Sequence, residues 1–224
     1  MKKKYIIFDF DGTLANTNDI IVASWQAVFE HYLGHRVPRK DIEATFGETL
    51  KYSVGRLVPD ADVNEVIAYY RSYQDAHNEE IAVYVFDGVR ELVDELHARG
   101  YKVGVATSRT TYSFLNYMKK FGMENDIDEI VTMDDVTRHK PDPESLLVCL
   151  SKLTGLPADA IPSEVRRQAI MIGDTKFDIG CANNADIDSV LVGWSHYVDE
   201  EDMAEHSYAP TYKISKPADL LDLI

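Results

Sequence analysis

Two aspartates at the end of a short apolar run have the types and the spacing to do chemistry together. The stretch IIFDFDGT, residues 6–13, has the apolar side chains of a buried strand, but Asp9 and Asp11 interrupt it. An unpaired buried carboxylate is costly, so a partner must justify the pair. Residues two apart on an extended chain face the same way, which leaves Phe8 and Phe10 free to pack into the neighbouring layers.

Polar and charged side chains also follow the later apolar runs, where each predicted strand ends. They are Thr107, Ser108 and Arg109 after the second strand, Lys140 after the third, and Asp174 and Asp178 after the fourth. Ligands of an α/β sheet bind beyond the carboxyl ends of its strands, so these residues are expected to meet in one cleft. Carboxylates that converge there repel one another unless a cation joins them, and oxygen ligands without His or Cys suit Mg²⁺.

With such an ion, these side chains could divide a phosphoryl transfer among them. Asp9 could attack phosphorus and form an aspartyl-phosphate, while Mg²⁺ offsets the charge between its carboxylate and the phosphoryl group. Asp11 could protonate the leaving group and later deprotonate the attacking water. Thr107 or Ser108 could donate hydrogen bonds to the phosphoryl oxygens, and Lys140 could supply a positive charge.

The elements that must position these residues follow from the hydrophobic pattern. Short runs rich in Val and Ile predict strands at Tyr101–Ala106, Asp128–Met133, Ala169–Ile172 and Ser189–Val192, in addition to the first run. Apolar residues at helical spacing predict helices around 89–96, 114–121 and 146–153. Alternating strands and helices predict an α/β fold, a Rossmann-like parallel sheet with helices on both faces.

One segment breaks this alternation. Between the first strand and Asp87 lie about 70 residues without a convincing strand, far more than a simple crossover needs. Two apolar stripes at helical spacing, within 20–32 and 63–70, mark helices there. The sequence therefore predicts a small all-α cap at 16–82, inserted after the first strand, with a catalytic core formed by 1–15 and 83–224.

Composition restricts the class of partner. The chain has 224 residues, a formal net charge of -15 and a pI near 4.8, which argues against nucleic acid or an anionic membrane as the main partner. Cys149 and Cys181 are the only cysteines, and they are expected to be core residues. No apolar run has the length of a membrane span. A cytoplasmic protein, monomeric or homodimeric, is expected.

Four ordered motifs resemble those of the haloacid dehalogenase superfamily of phosphatases. They are DFDGT at 9–13, Thr107-Ser108, Lys140-Pro141 and GDTKFD at 173–178. The helical insertion resembles the cap of the phosphoglycolate phosphatase and β-phosphoglucomutase branch, and the likeness covers essentially the whole chain. The paired acids favour phosphate chemistry over dehalogenation, because the dehalogenases of this superfamily lack the second aspartate.

The resemblance implies a role for each matching residue. Asp9 is then the nucleophile and a metal ligand, and Asp11 is the general acid and base that gives its backbone carbonyl to Mg²⁺. Thr107 binds the phosphoryl group, and Lys140 steadies the charges of the nucleophile and the phosphoryl group. Asp174 is a direct metal ligand. Asp178 lies behind the direct ligands and supports them.

Three stretches look closest to phosphoglycolate phosphatases and their pyrophosphatase relatives. They are DGTLANTND, the cap loop at 46–50 and the late GWSHYVDEEDM. Two features depart from that pattern: Thr107-Ser108-Arg109 stands where many phosphoglycolate phosphatases carry Thr-Asn-Lys, and a longer segment, DAIPSEVRRQ, precedes the fourth strand. Candidate substrate-binding residues are Gly47, Glu48 and Thr49 of the cap loop, with Thr107, Ser108 and Arg109 of the core.

Three functions remain open at this point. The first is a Mg²⁺-dependent phosphatase for a small phosphorylated metabolite, with phosphoglycolate ranked before pyrophosphate or a nucleoside monophosphate, and a sugar phosphate last. The second is a β-phosphoglucomutase-like phosphomutase, which requires the aspartyl-phosphate to outlive substrate exchange. The third is a non-catalytic phospho-acceptor module like a response-regulator receiver, in which neither the helical lobe nor Asp11 has a task.

Overall fold

A six-stranded parallel sheet forms the centre of the core. The computed structural model describes residues 2–195 and 206–224. The strands of the described residues are β1 (Tyr5–Phe8), β2 (Ala15–Asn16), β3 (Tyr84–Val85), β4 (Lys102–Ala106), β5 (Glu129–Val131), β6 (Ala169–Gly173), β7 (Asp188–Val192) and β8 (Tyr212–Ile214). The sheet order is β5-β4-β1-β6-β7-β8. Since β1 lies between β4 and β6, its carboxyl end is central to the edge where ligands of such sheets bind.

Helices cover both faces of the sheet, as the sequence predicts. The helices are α1 (Asn18–Leu33), α2 (Arg39–Glu43), α3 (Leu50–Leu57), α4 (Val63–His77), α5 (Val89–Ala98), α6 (Thr111–Phe121), α7 (Glu144–Thr154), α8 (Ser163–Arg166) and α9 (Lys176–Asn184). Alternate residues of β1 enter different cores: Ile6 and Phe8 pack with α5 and α6, and Ile7 packs with α7 and α9. Cys149 and Cys181 are free and buried in that second core, as expected.

Helices α1–α4 form a separate lobe with its own buried cluster. Trp25 of α1 is at its centre, with ring centroids 5.6 Å from Phe29 and 5.5 Å from Tyr70 of α4. This lobe corresponds to the predicted helical insertion, since α1 begins at Asn18 and α4 ends at His77. The boundaries of the cap at 16–82, and of the core around it, stay a prediction.

The prediction of no strand between the first strand and Asp87 is wrong. Strands β2 and β3 pair antiparallel where the chain enters and leaves the helical lobe, and Asn16 Nδ2 donates to Tyr84 Oη at 2.8 Å. Each has two residues, too few to show an alternation, and each is defined only by its distant partner. Strand β8 is missed for a similar reason, because it is a short edge strand that pairs only with β7 among the described residues.

None of the helices in the described ranges combines the length and the apolar character that crossing a bilayer requires.

Candidate active site

Three buried carboxylates converge at the edge of the sheet. Asp9 directly follows β1, Asp174 directly follows β6, and Asp178 lies in the first turn of α9. One oxygen from each carboxylate lies within 4.8 Å of the others. The backbone N–H of Asp9 donates to Ile172 O at 2.8 Å, which fixes the end of β1 against β6. The two strand ends thus bring Asp9 and Asp174 close enough to share a cation.

Lys140 enters this cluster from the loop after β5. Its Nζ donates to Asp9 Oδ1 and to Asp178 Oδ1, both at 2.7 Å, and its side chain is 3% exposed. Burial lowers the pKa of Lys140, but the charges of Asp178 and Asp9 outweigh burial and raise the pKa above its ordinary value. The ammonium group is therefore held charged between two carboxylates, where it orients Asp9.

One ammonium group does not balance three carboxylates. Burial raises the pKa of Asp9 to about 7 even though Lys140 acts in the opposite direction. Burial and the neighbouring charges of Asp178 and Asp9 raise the pKa of Asp174 well above its usual range. The cluster thus has a surplus of negative charge that protons or a cation must neutralise.

A divalent cation fits the oxygen atoms that remain. Asp174 Oδ1 is buried without a hydrogen-bond partner among the described residues, while its Oδ2 accepts from Ser195 Oγ at 2.8 Å. Asp178 differs, because its Oδ1 accepts from Lys140 and its Oδ2 accepts from Thr175 N at 3.1 Å and Thr175 Oγ1 at 2.8 Å. Asp9 and Asp174 therefore suit direct coordination, and Asp178 suits holding Lys140 in place.

Asp11 has a different set of partners. Its carboxylate accepts from Arg109 Nε, with oxygen distances of 2.9 and 2.8 Å, and from Thr17 Oγ1. The Arg109 guanidinium is stacked on Tyr117, 4.6 Å from the ring centroid, and donates from Nη1 to Ser113 Oγ at 2.7 Å. The side chain of Asp11 is thus held by Arg109 and is not part of the carboxylate cluster around Asp9.

Thr107 and Ser108 directly follow β4, on the other side of β1 from Asp174. Thr107 is buried, and its Oγ1 accepts from the backbone N–H of Arg109 at 3.2 Å. Ser108 Oγ donates to the carbonyl of Gly47 at 3.1 Å. This hydrogen bond joins the core to the cap loop at the cleft that both residues line.

The cap loop lies against the core with little space to spare. A Cβ on Gly47 would lie 2.7 Å from Thr175 Oγ1 and 2.6 Å from the Phe177 ring. The Glu48 carboxylate has its hydrogen-bond partners within the cap, where it accepts from Ser53 at 2.6 Å and from Arg56 at 2.9 Å. Gly47 and Glu48 line the cavity between cap and core, whereas Thr49 precedes α3 and is not among the lining residues.

A cavity between cap and core has a volume of about 130 Å³ and is partly open to solvent. Asp9, Asp11 and Asp174 line it from the core, and apolar side chains such as Trp25 and Tyr70 line it from the cap. Its lining combines apolar side chains with many polar and charged ones, and a cavity of this size is suited to a small polar molecule.

Among the described residues of this site, those that sequence reasoning missed include Thr17, Asn18, Arg71 and Ser195. Ser195 follows β7, so the strand-end rule applied to the fifth predicted strand was a signal for it. The other three lie at the start of α1 or on α4, and no local pattern shows which helical face closes over the core. Of the late stretch GWSHYVDEEDM, only Gly193, Trp194 and Ser195 lie within the described residues.

Replacing Gly12 by alanine is expected to lower kcat/KM by at least about 100-fold, because a misplacement of about 1 Å in an active site has an effect of that size. The added Cβ would lie 1.9 Å from Asp174 Oδ2, at a backbone φ of +73° that disfavours side chains. The measurement is steady-state kinetics of the variant and the parent protein.

The matched control for this change is Gly34→Ala. Gly34 has nearly the same backbone φ, +74°, but its added Cβ would have no neighbour within 4 Å. Gly34→Ala therefore introduces the backbone strain without the contact to Asp174, and it should leave kcat/KM unchanged. Equal kinetics of the two variants would show that displacement of Asp174 does not matter.

A parallel sheet with helices on both faces, an inserted helical lobe and acids at the strand ends together define an α/β enzyme whose active site lies at the carboxyl ends of the strands. Residues 6–192 match the family model of the haloacid dehalogenase-like hydrolases. The chain belongs to this family.

Relatives and solved structures agree with this assignment over the whole chain. The chain is 33% identical to pyrophosphatase PpaX of Halalkalibacterium halodurans, over 100% of this chain and 98% of that protein. It is 30% identical to pyrophosphatase PpaX of Listeria monocytogenes, over 98% and 95%. A haloacid dehalogenase-like hydrolase from Streptococcus pneumoniae superposes with a TM-score of 0.79 at 25% identity, covering 99% of this chain and 98% of that one. A structure named as a predicted phosphoglycolate phosphatase from Haemophilus somnus shares the fold, with a TM-score of 0.77 at 19% identity and coverage of 100% and 98%.

Together, the family and these relatives identify the protein as a phosphoric ester hydrolase.

Proposed function

We propose that the protein hydrolyses a small phosphorylated metabolite through an aspartyl-phosphate on Asp9, with Mg²⁺ as the cofactor. The observation that carries this proposal is the pairing of Asp9 with Asp174. Asp9 is oriented by Lys140 at 2.7 Å, and Asp174 keeps a buried oxygen without a hydrogen-bond partner among the described residues. A nucleophile and an available cation ligand thus lie side by side at the floor of the cavity.

In the first half-reaction, an oxygen of Asp9 attacks phosphorus and the bond from phosphorus to the leaving-group oxygen breaks. In its protonated form, Asp11 gives its proton to that oxygen. In the second half-reaction, water attacks the phosphorus of the aspartyl-phosphate, Asp11 accepts a proton from the water, and the bond to Asp9 breaks. Asp11 is held by Arg109 and Thr17 in this structure, so it must exchange these partners to act.

Other side chains contribute charge and position. Mg²⁺ bound by Asp9 and Asp174 would offset the negative charge of the nucleophile and of the phosphoryl oxygens. Lys140 adds a fixed positive charge next to Asp9. Thr107 and Ser108 would donate from their hydroxyl groups to phosphoryl oxygens, and Ser108 would release the Gly47 carbonyl to do so. The cap excludes bulk water while the phosphoryl group is transferred.

The names of the relatives decide which substrates to test first. Both relatives described above are named as pyrophosphatases, and one of the similar structures is named as a predicted phosphoglycolate phosphatase. Both substrates carry a phosphoryl group on a small anionic leaving group, which suits the small cavity. We therefore propose pyrophosphate and phosphoglycolate as the leading candidates. The cytoplasmic location and the monomeric or homodimeric state stay predictions from the sequence.

The proposal predicts hydrolysis of one or more members of a panel of phosphorylated metabolites, in the presence of Mg²⁺ and not after removal of divalent ions with EDTA. Because burial raises the pKa of Asp9 to about 7, protons compete with the cation at lower pH. The Mg²⁺ concentration for half-maximal rate should thus be higher at pH 6 than at pH 8. Release of inorganic phosphate is the measurement.

Two outcomes would contradict this proposal. Hydrolysis that survives EDTA would remove the metal from the mechanism. Failure to release phosphate from any substrate, together with isomerisation of a sugar phosphate in the presence of a bisphosphate activator, would favour a phosphomutase.

A further inference from the structure

The cationic side chains around the cavity differ in whether they already form ion pairs with the protein's own carboxylates. Among the described residues that line it, only Arg71 and Arg109 supply cationic side chains. Arg109 is bound to Asp11 with an Nη2–Oδ1 distance of 2.7 Å, and Lys140, below the cavity, is bound to Asp9 and Asp178. Arg71 makes no ion pair within residues 2–195 and 206–224. It is therefore the lining cation that remains available to a ligand.

A second group in the cap also lacks a partner. Asn18 is the first residue of α1, it lines the same cavity, and it is 2% exposed. Its Nδ2 is buried without a hydrogen-bond partner in the part of the chain that the structure describes. A buried amide donor without an acceptor is unfavourable unless a ligand supplies one. Asn18 and Arg71 thus bring donors from α1 and α4 to the same cavity that Asp9 and Asp174 line.

The acidic side chains of the cavity would repel a negatively charged leaving group, and an available cation would offset this repulsion. Asp9, Asp11 and Asp174 line its floor, so a leaving group with its own negative charge would be repelled unless a positive charge met it. Glu48 adds little to this repulsion, since Arg56 pairs with it within the cap at 2.9 Å. A neutral leaving group has no such need for Arg71.

We propose that Arg71 and Asn18 form a leaving-group subsite that selects substrates whose leaving group carries a negative charge of its own, a second phosphate or a carboxylate. The subsite determines specificity, while the reaction at phosphorus depends on Asp9 and its neighbours. This inference rests on the proposed function and specifies the substrate class of the same site.

The test compares substrates that differ in the charge of the leaving group. Pyrophosphate and phosphoglycolate carry a charged one, whereas p-nitrophenyl phosphate and 2-hydroxyethyl phosphate do not. Arg71→Gln is expected to lower kcat/KM for the charged pair by at least about 10-fold, the typical effect of losing a hydrogen bond to a charged group. For the neutral pair, the change should stay below about 3-fold.

Further variants separate a role in specificity from a role in folding. Arg71→Lys keeps the charge and should recover part of the loss. Asn18→Ala should lower kcat/KM for the charged pair in the same selective way. The matched control is Arg36→Gln, another cap arginine whose side chain is 68% exposed and lies outside the cavity lining, and it should change neither pair.

Each outcome has a definite meaning. A selective loss for pyrophosphate alone assigns the subsite to a phosphate, and a selective loss for phosphoglycolate alone assigns it to a carboxylate. Equal loss for charged and neutral substrates, or no loss for either, overturns the subsite. If the parent protein hydrolyses none of the four substrates and no other member of the metabolite panel, the proposed function itself fails, whatever Arg71 does.

Discussion

Asp9→Asn is expected to abolish turnover, with kcat lower by at least about 10⁴-fold, a loss in the range found when a catalytic nucleophile is removed. An amide oxygen is a poor nucleophile toward phosphorus, and the amide also weakens coordination of a divalent cation. The change is nearly isosteric, so the fold should survive. The measurement is phosphate release, with circular dichroism and thermal unfolding as checks of folding.

A direct search for the phosphoenzyme makes this prediction sharper. The parent protein, mixed with ³²P-labelled substrate and quenched in acid, should retain label on the protein, and Asp9→Asn should retain none. The control is Asp159→Asn, an exposed aspartate that should keep full activity and full labelling. An Asp9→Asn protein as active as the parent would remove Asp9 from the mechanism.

Lys140→Met is expected to lower the free energy of unfolding by about 3–5 kcal/mol in the absence of divalent ions, in addition to abolishing activity. The change removes the ammonium group that contacts Asp9 and Asp178 and leaves three buried carboxylates without a counter-charge. Methionine approximates the shape of the lysine stem, so the loss reports mainly on charge. Urea denaturation with EDTA present is the measurement.

The sign of the pH dependence distinguishes a charge effect from a packing effect. Burial raises the pKa of Asp9 to about 7, and loss of the Lys140 charge removes an interaction that lowers it. In Lys140→Met, Asp9 should therefore be protonated and neutral at pH 5.5, whereas at pH 8 its charged form is no longer stabilised by the lysine. The loss of stability should thus be smaller at pH 5.5. Mg²⁺ should restore part of the stability at pH 8.

Lys51→Met is the control for this variant. Lys51 is exposed on α3 of the cap, and its replacement should change the free energy of unfolding by less than about 0.5 kcal/mol at either pH. An equal loss of stability for Lys140→Met at pH 5.5 and pH 8 would contradict the electrostatic explanation and indicate that the lysine stem acts through packing.

Sequence reasoning went furthest where a local pattern also defines a position in the fold. Apolar runs located five of the six strands of the parallel sheet to within a few residues, and polar residues that follow four of these strands were predicted to lie at the ligand-binding edge. Asp9, Asp174 and Lys140 do meet there. Parallel strands end at a common edge, so the order of strands and acids along the chain carried information about three-dimensional proximity.

The tertiary structure alone decided the pairing of side chains across that edge. Arg109 was one of several substrate candidates in the sequence, and the fold binds it to Asp11, 98 positions away. Likewise, the two-residue strands at the base of the cap exist only because Asn16 and Tyr84 meet. Neither contact leaves a periodic signal in the chain.

For this protein, then, the sequence by itself determined the α/β fold, the inserted helical lobe and the carboxylates at the strand ends. Only the tertiary structure decided which hydrogen-bond partners each carboxylate has, and which cap residues, Arg71 and Asn18 among them, line the same cavity. The physical reason is that local patterns of apolar residues determine which segments form buried strands and in which direction these strands run. The partner of a charged side chain instead depends on the packing of distant helices and loops, to which many sequence positions contribute together.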